Sequence, residues 1–405
     1  MSWPTVTFET LYAEPSRNGV YKSKEHHGTG VKIVNMGELF AYDVIADQEM
    51  NRLRMDEVEM KKSGLSDGDL LFGRRSLVES GAGKCSLVEG LLEPTTFESS
   101  IIRVRLDQCK TNPRFYYYWF KSHHGKGVIH AIVTGTNVKG ITGNNLKRVR
   151  VVYPPLKAQS SVASKLRVYD SLIENNRRRI QLLEQAARLL YKEWFIRLRF
   201  PGHEHVKIKD DVPEGWEKKT AFDAMEVLSG GTPKTGIADY WDGDIPFFTP
   251  KDITNHIYAH DTEKTLTENG LYNCNSKLYP KDTIFITARG TVGNINIAQT
   301  DMAMNQSCYA LIAKPPLNQY FLYFALVEGI EQFRSRAVGA VFDAIIRDTF
   351  KLIPFVVPTE QLVSAFTDHV SPIIRQIDII TSQTRKLVKA RDILLPRLMN
   401  GDIAV

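Results

Sequence analysis

Two stretches of this 405-residue chain carry the same apolar rhythm, and that rhythm limits the folds open to it more than any other feature. In the first, Val162, Leu166, Tyr169, Ile173, Asn176, Ile180, Leu183, Ala187, Leu190 and Trp194 stand alternately four and three residues apart, and nine of the ten have apolar bodies. Adding 204 to each number gives Phe366, Val370, Ile373, Ile377, Ile380, Thr384, Leu387, Arg391, Leu394 and Leu398, of which eight are apolar. An apolar period of 3.5 residues keeps one face of a helix turned to a partner and winds the pair into a coiled coil. Two seams in one register predict that each segment is one strand of such a pair and that its partner is the other. Helices of about 40 residues would be on the order of 60 Å long, the length of a spacer. Pro154 and Pro155 precede the first helix, where a fixed φ is tolerated, and Pro396 predicts an end or kink of the second near Leu395.

The repeat extends beyond the helices. At the same offset Gly135, Ile141, Leu146 and Pro154 fall on Gly339, Ile345, Phe350 and Pro358, the last pair closing the strand-like runs "RVRVVYP" and "LIPFVVP". At an offset near 213, "GDLLF" (68–72) falls on "KDTIF" (281–285) and Trp3 on Trp216. The chain therefore reads as two copies, each a globular part followed by a long helix. The divisions are 1–155 globular, 156–199 helix, 200–215 linker ("FPGHEHVKIKDDVPE" spans most of it), 216–358 globular and 359–405 helix. Within the globular parts, β-prone runs such as "KIVNM" and "TIFIT" alternate with helical candidates such as "RFYYYWFKS", which predicts mixed α and β structure.

Charge is uneven between the copies. Residues 1–155 hold 21 basic and 17 acidic side chains, a net +4; residues 156–199 hold 10 and 4, a net +6; residues 216–358 hold 13 and 16, a net −3. A polyanion meeting the second globular part must do so through a local patch, because its bulk charge is unfavourable. At 43% apolar and 24% charged residues the composition is that of a globular protein. No run approaches the length of a membrane span and no leader pattern opens the chain, so a cytoplasmic protein with no membrane partner is expected.

Catalytic chemistry finds little support. "GAGKCS" (81–86) lacks the first glycine of a phosphate loop, Val78 standing there, and Cys85 replaces the hydroxyl. "HEH" (203–205) and the pairs His26–His27 and His123–His124 lack the spacing of metal ligands, and the four cysteines are scattered. Asp43 with Glu59-x-Lys61 can be drawn as a magnesium nuclease site, although the second copy has no counterpart. No catalytic residue and no metal site is assigned. A self-sufficient enzyme with a degenerate site in the first half, and a coiled-coil scaffold that binds only proteins, are readings that stay open.

"LLPRLMNGDI" (394–403), "VPEGWE" (212–217), "GGTPKT" (230–235), "YWDGDIPFFTPKDI" (240–253) and "ITARGTVG" (286–293), with the two seams, resemble the DNA-specificity subunit of type I restriction-modification systems. The resemblance implies an α+β fold, with two mixed α/β target-recognition domains held apart by two antiparallel coiled-coil helices in an internal pseudo-two-fold repeat. It implies that each domain reads one half of a bipartite site in double-stranded DNA. Two methyltransferase subunits, and restriction subunits besides, would dock on the helices. S-adenosylmethionine, ATP and magnesium would be bound by those partners, with no cofactor in this chain. Within the domains, basic residues beside glycine suit contacts to phosphates or base edges. The candidates are Lys22, Lys24, Arg74, Arg75 and Lys139 ("GTNVKGIT") in the first copy, and Lys234, Lys251, Arg289 and Arg347 in the second. At each position a base contact, a phosphate contact and an ordinary solvated charge remain open.

Overall fold

The computed structural model describes residues 3–76, 81–135, 138–335 and 344–403. Gly339 of the repeat lies outside them, as do Val78 and the Thr136–Asn137 step of "GTNVKGIT". The chain divides into two compact units, one of residues 1–173 with 386–405 and one of residues 174–385. Both divisions fall inside the long helices, which run over Leu156–Tyr191 and Glu360–Met399. A π-helical turn, Lys192–Ile196, extends the first.

The main sheets of the two units match, although among the described residues each unit also has a short strand pair that the other lacks, Arg75–Ser76 with Lys139–Gly140 in the first and Ile208–Lys209 with Val212–Pro213 in the second. The first has a five-stranded sheet in the order Tyr12–Asn18, Ile101–Leu106, Leu70–Gly73, Cys85–Val88, Val44–Ile45. The second has Met225–Ser229, Cys308–Ala313, Ile284–Thr287, Ile295–Ala298, Tyr258–Ala259 in the same order. In both, every pairing is antiparallel except the last, which is parallel. Each unit adds a three-stranded sheet built on one long strand, His27–Val34 or Trp241–Phe248, with an antiparallel neighbour on one side and a parallel one on the other. Each also pairs its opening strand with the strand that leads into a long helix, Thr5–Thr7 with Arg150–Val152 and Glu217–Thr220 with Pro354–Val357. The expected mixture of α and β structure is therefore present twice, in one topology.

The long helices are part of the cores. In the first unit Phe8, Phe72, Phe115 and Trp119 share one apolar cluster with Leu166 of the first helix and Leu395, Leu398 and Met399 of the second. In the second unit Ile284, Leu311 and Phe321 share a cluster with Ile180, Ala187 and Tyr191 of the first helix and Phe366, Val370 and Ile377 of the second. The Trp194 ring lies 6.0 Å from that of Phe366 and 5.5 Å from that of His369, so the end of the first helix meets the start of the second. In the first unit Arg391, near the end of the second helix, places Nη1 2.8 Å from Oδ1 of Asp170 in the earlier part of the first. The pairing is antiparallel.

Every one of the twenty seam positions is buried or half-buried. Leu166, Ile173, Ile180, Val370 and Ile377 are buried, while Leu183, Leu190, Leu387 and Leu394 are half-buried. Ile374, which is off the heptad register, is fully buried as well. The second helix therefore covers a stripe wider than a coiled-coil seam, because it packs on a globular core as well as on its partner. Arg391 is the charged member of the seam and has a matched anion: Asp170 Oδ2 also accepts the Tyr118 hydroxyl at 2.6 Å, so one carboxylate ties both helices to the first globular core.

Pro396 does not end the second helix near Leu395. The helix passes through both Pro372 and Pro396 to Met399, and the Pro396 carbonyl accepts the Asn400 N–H at 2.9 Å. A proline in the last turn forfeits one hydrogen bond to the carbonyl four residues earlier, and the buried side chains of Leu395, Leu398 and Met399 hold that turn against the loss. Among the described residues no helix is long and apolar enough to cross a membrane.

The Asp170 junction yields a stability prediction. Asp170→Ala leaves the half-buried Arg391 guanidinium and the Tyr118 hydroxyl without this acceptor, at an expected cost of about 1 to 3 kcal/mol. Denaturant unfolding should show the loss, and hydrogen exchange should place it in residues 386–399; an unchanged midpoint would show that the carboxylate ties nothing together.

Candidate nucleic-acid interface

In each unit the central hairpin of the five-stranded sheet carries an arginine just beyond the end of its first strand. In the first, the strand Leu70–Gly73 ends and Arg74 and Arg75 follow; Gly83 N–H donates to the Gly73 carbonyl at 2.7 Å and closes the loop. In the second, Ile284–Thr287 ends and Ala288 and Arg289 follow, with Gly293 N–H closing the loop on the Thr287 carbonyl at 2.9 Å. A later segment crosses the base of each hairpin by one equivalent bond, Ile141 N–H to Arg74 O and Ile345 N–H to Ala288 O, both 3.0 Å. These bonds make Arg75 and Arg289 structural counterparts. Both are exposed, and neither side chain has a hydrogen bond or ion pair among the described residues.

The crossing segment gathers further charge in the first unit. Lys139–Gly140 pairs antiparallel with Arg75–Ser76, which sets Lys139 beside the two arginines. A Cβ at Gly140 would lie 2.7 Å from the Arg74 carbonyl, so this approach needs glycine. Among the described residues the Arg74 guanidinium makes one long bond, 3.4 Å, to the Ser99 carbonyl. Sequence proximity brought Arg74 and Arg75 together; only the strand pairing brings in Lys139.

A second pair of equivalent loops joins the outer strand of the five-stranded sheet to the long strand of the three-stranded sheet. Each begins at a glycine pressed against backbone: a Cβ at Gly19 would lie 2.1 Å from the Phe97 carbonyl, and one at Gly230 2.3 Å from that of Asn305. Lys22 and Lys24 lie in the first of these loops and Lys234 in the second. Lys24 and Lys234 are exposed. Lys22 is engaged within the protein, its ammonium 2.6 Å from Glu59 and 2.9 Å from the Arg54 carbonyl, so it braces this loop against the helix Glu57–Ser63. Lys251 is exposed and 3.4 Å from Glu263. Arg347 lies over the Phe222 ring at 5.4 Å, and Lys314 and Lys351 lie over the same ring at 5.5 and 5.4 Å. These two lysines carried no sequence signal, because their convergence depends on where Phe222 lies.

The groups once drawn as a nuclease site are occupied separately. Burial opposes the charge on Asp43, but Lys121, 2.6 Å away, holds its carboxyl below the ordinary range, while Glu59 is bound by Lys22 and the Asp56 backbone. "GAGKCS" leads into the strand Cys85–Val88 and not a helix, and burial pushes the Cys85 thiol pKa up. A phosphate loop works through the N–H groups that open a helix, and this segment has none to offer.

A family model described as "Type I restriction modification DNA specificity domain" matches residues 30–185 and again 213–390. A putative type I restriction enzyme MjaX specificity subunit from Methanocaldococcus jannaschii is 23% identical over 97% of this chain and 92% of its own length. The MjaIX specificity subunit of the same organism is 32% identical over 44% of each chain. The HindI specificity subunit of Haemophilus influenzae is 21% identical over 84% of this chain and 88% of its own. In fold, the chain is similar to the type I restriction-modification S subunit from M. genitalium, with a TM-score of 0.61, 18% identity, and coverage of 98% and 96% of the two chains.

Proposed function

The chain belongs to the type I restriction-modification DNA specificity family, and on that premise we propose that its two units each read one half of a bipartite target while the paired helices set the distance between the halves. Specificity subunits are the non-catalytic, DNA-recognising members of complexes with other subunits. The observation that carries the proposal is the repeat of the main sheets, because two modules of one sheet order, each with an exposed arginine side chain at the same place in its central hairpin, are suited to two half-sites. A helical pair that both modules share then converts its own length into a spacing along the duplex, as dimeric readers match half-site separation to the helical repeat.

The helices are also the proposed docking faces for two methyltransferase subunits, with restriction subunits joining through them. Leu189 on the first helix and Ile393 on the second are 204 residues apart, lie off the seam, and are 54% and 53% exposed. Apolar side chains at equivalent, solvent-facing positions suit two copies of one partner. Methylation and cleavage chemistry, with S-adenosylmethionine, ATP and magnesium, is assigned to those partners.

Two experiments test this reading in the assembled complex. Arg75→Ala and Arg289→Ala should each cost about 1 to 3 kcal/mol of target binding and relax one base position, in a different half of the site for each variant. Methylation mapping reads the outcome: uniform weakening on all sequences would make the contact one to phosphate, and relaxation of both halves by one substitution would sink the two-reader account. Leu189→Asp or Ile393→Asp should each leave one methyltransferase subunit bound and the double variant none, by native mass spectrometry. Retention of both subunits in the folded double variant would place docking elsewhere.

A further inference from the structure

The two units share a topology but differ in charge at one corner. The corner lies where the opening strand pairs with the strand leading into a long helix, and backbone bonds fix its equivalences. Phe8 N–H donates to Val149 O and Ala221 N–H to Ile353 O, both at 2.9 Å; Asp107 N–H donates to Leu11 O at 2.9 Å and Lys314 N–H to Ala224 O at 3.0 Å. Glu9 therefore corresponds to Phe222, Asp107 to Lys314, Gly143 to Arg347 and Lys147 to Lys351. In the first unit these four positions sum to −1, and Glu9 lies 3.3 Å from Lys147. In the second they sum to +3, with all three cations within 5.5 Å of the Phe222 ring centroid.

Two carboxylates lie nearby in the second unit and leave the charge incompletely balanced. Asp348 pairs with Lys351 at 2.8 Å, and Asp223 accepts the Thr220 N–H and hydroxyl as the cap of its own helix. The Lys314 ammonium donates to the Phe222 carbonyl at 2.9 Å. The exposed Arg347 guanidinium has no acceptor among the described residues, so its donors are held over the ring and turned to solvent. An aromatic ring steadies cations through its face but cannot satisfy their hydrogen bonds, which leaves them for an incoming anion.

We propose that Phe222, Lys314, Arg347 and Lys351 form a phosphodiester site that holds the DNA backbone on the second unit alone. The proposal rests on the reading of the chain as a DNA-sequence reader. The occupant is DNA because the segment bearing the patch starts at Ile345, bonded to Ala288 beside Arg289. Backbone dimensions then keep the Cα atoms of Arg289 and Arg347 within about 16 Å, so a duplex read at the hairpin passes its phosphates near the patch. The second globular part, with its net charge of −3 over residues 216–358, needs such a local anchor, whereas the first, at +4, does not.

The test uses the full chain in complex with its partner subunits, measuring affinity for target and non-target duplexes across a salt series. Arg347→Ala with Lys351→Ala should weaken both duplexes by the same factor, about threefold to thirtyfold, and flatten the slope of log affinity against log salt by about 0.9 to 1.8. The methylated sequence should stay the same, and Lys147→Ala, the matched change in the first unit, should leave the slope alone. Asp348→Asn frees Lys351 and should steepen the slope, a gain that misfolding cannot imitate. An unchanged slope in both the double variant and Asp348→Asn overturns the proposal. So does relaxation at a single base position, which would make the patch a base reader, or loss of partner subunits with an unaltered slope, which would make it a protein contact. If the unsubstituted complex shows no preference for any target, the DNA-reading assignment itself fails, independently of this patch.

Discussion

The apolar stripe on each long helix is the constraint on which the rest depends, because it is shared between the partner helix and a globular core. Leu166 and Leu398 lie in one cluster with the aromatic side chains of the first unit, and Tyr191 and Phe366 in one cluster with those of the second. Burial of each such side chain contributes about 1.5 to 3 kcal/mol, and long helices draw most of their stability in water from packing of this kind. One consequence is that the first unit is not contiguous in sequence. Its core needs Leu395, Leu398 and Met399, which arrive only after the entire second unit has been traversed. The first globular part is thus completed by the last turns of the second helix.

The two units share one frame and differ in their loops. The sheets, their order and the bonds closing the central hairpins match, yet the loop from Gly73 to Gly83 is four residues longer than the one from Thr287 to Gly293. Arg75 and Arg289 occupy one place in that frame, whereas among the described residues Lys139 in one unit and the Phe222 cluster in the other have no counterpart in kind. Such a division lets the frame hold position while surface side chains supply whatever distinguishes the two halves of a target.

The seams and the repeat were legible because heptad spacing and a fixed offset are properties of the linear chain. The paired strands closing at Val152 and Val357 could be seen in "RVRVVYP" and "LIPFVVP" for the same reason. As a helix end Pro396 misled, since local propensity marks a stop that three buried neighbours in the last turn override. Among the basic residues the sequence could not separate engaged from free. Lys22 is bound by Glu59 from a helix 37 residues away, and Arg391 by Asp170 from 221 residues away, so only tertiary contacts reveal that the one braces a loop and the other a helix pair. The exposed apolar pair Leu189 and Ile393 was within reach of the sequence, because both lie off the seam at the repeat offset.

The claim that the helices are a ruler is tested most directly by lengthening them together. Seven residues inserted after Ile173 and seven after Arg385, where both helices pass from one unit to the other, keep the apolar stripe in register and add about 10 Å to each helix. At about 3.4 Å per base pair, the preferred spacer between half-sites, read by methylation mapping, should grow by about three base pairs, with weaker binding because the second reader must also follow the turn of the duplex. A folded, active complex that keeps its original spacer would contradict the account.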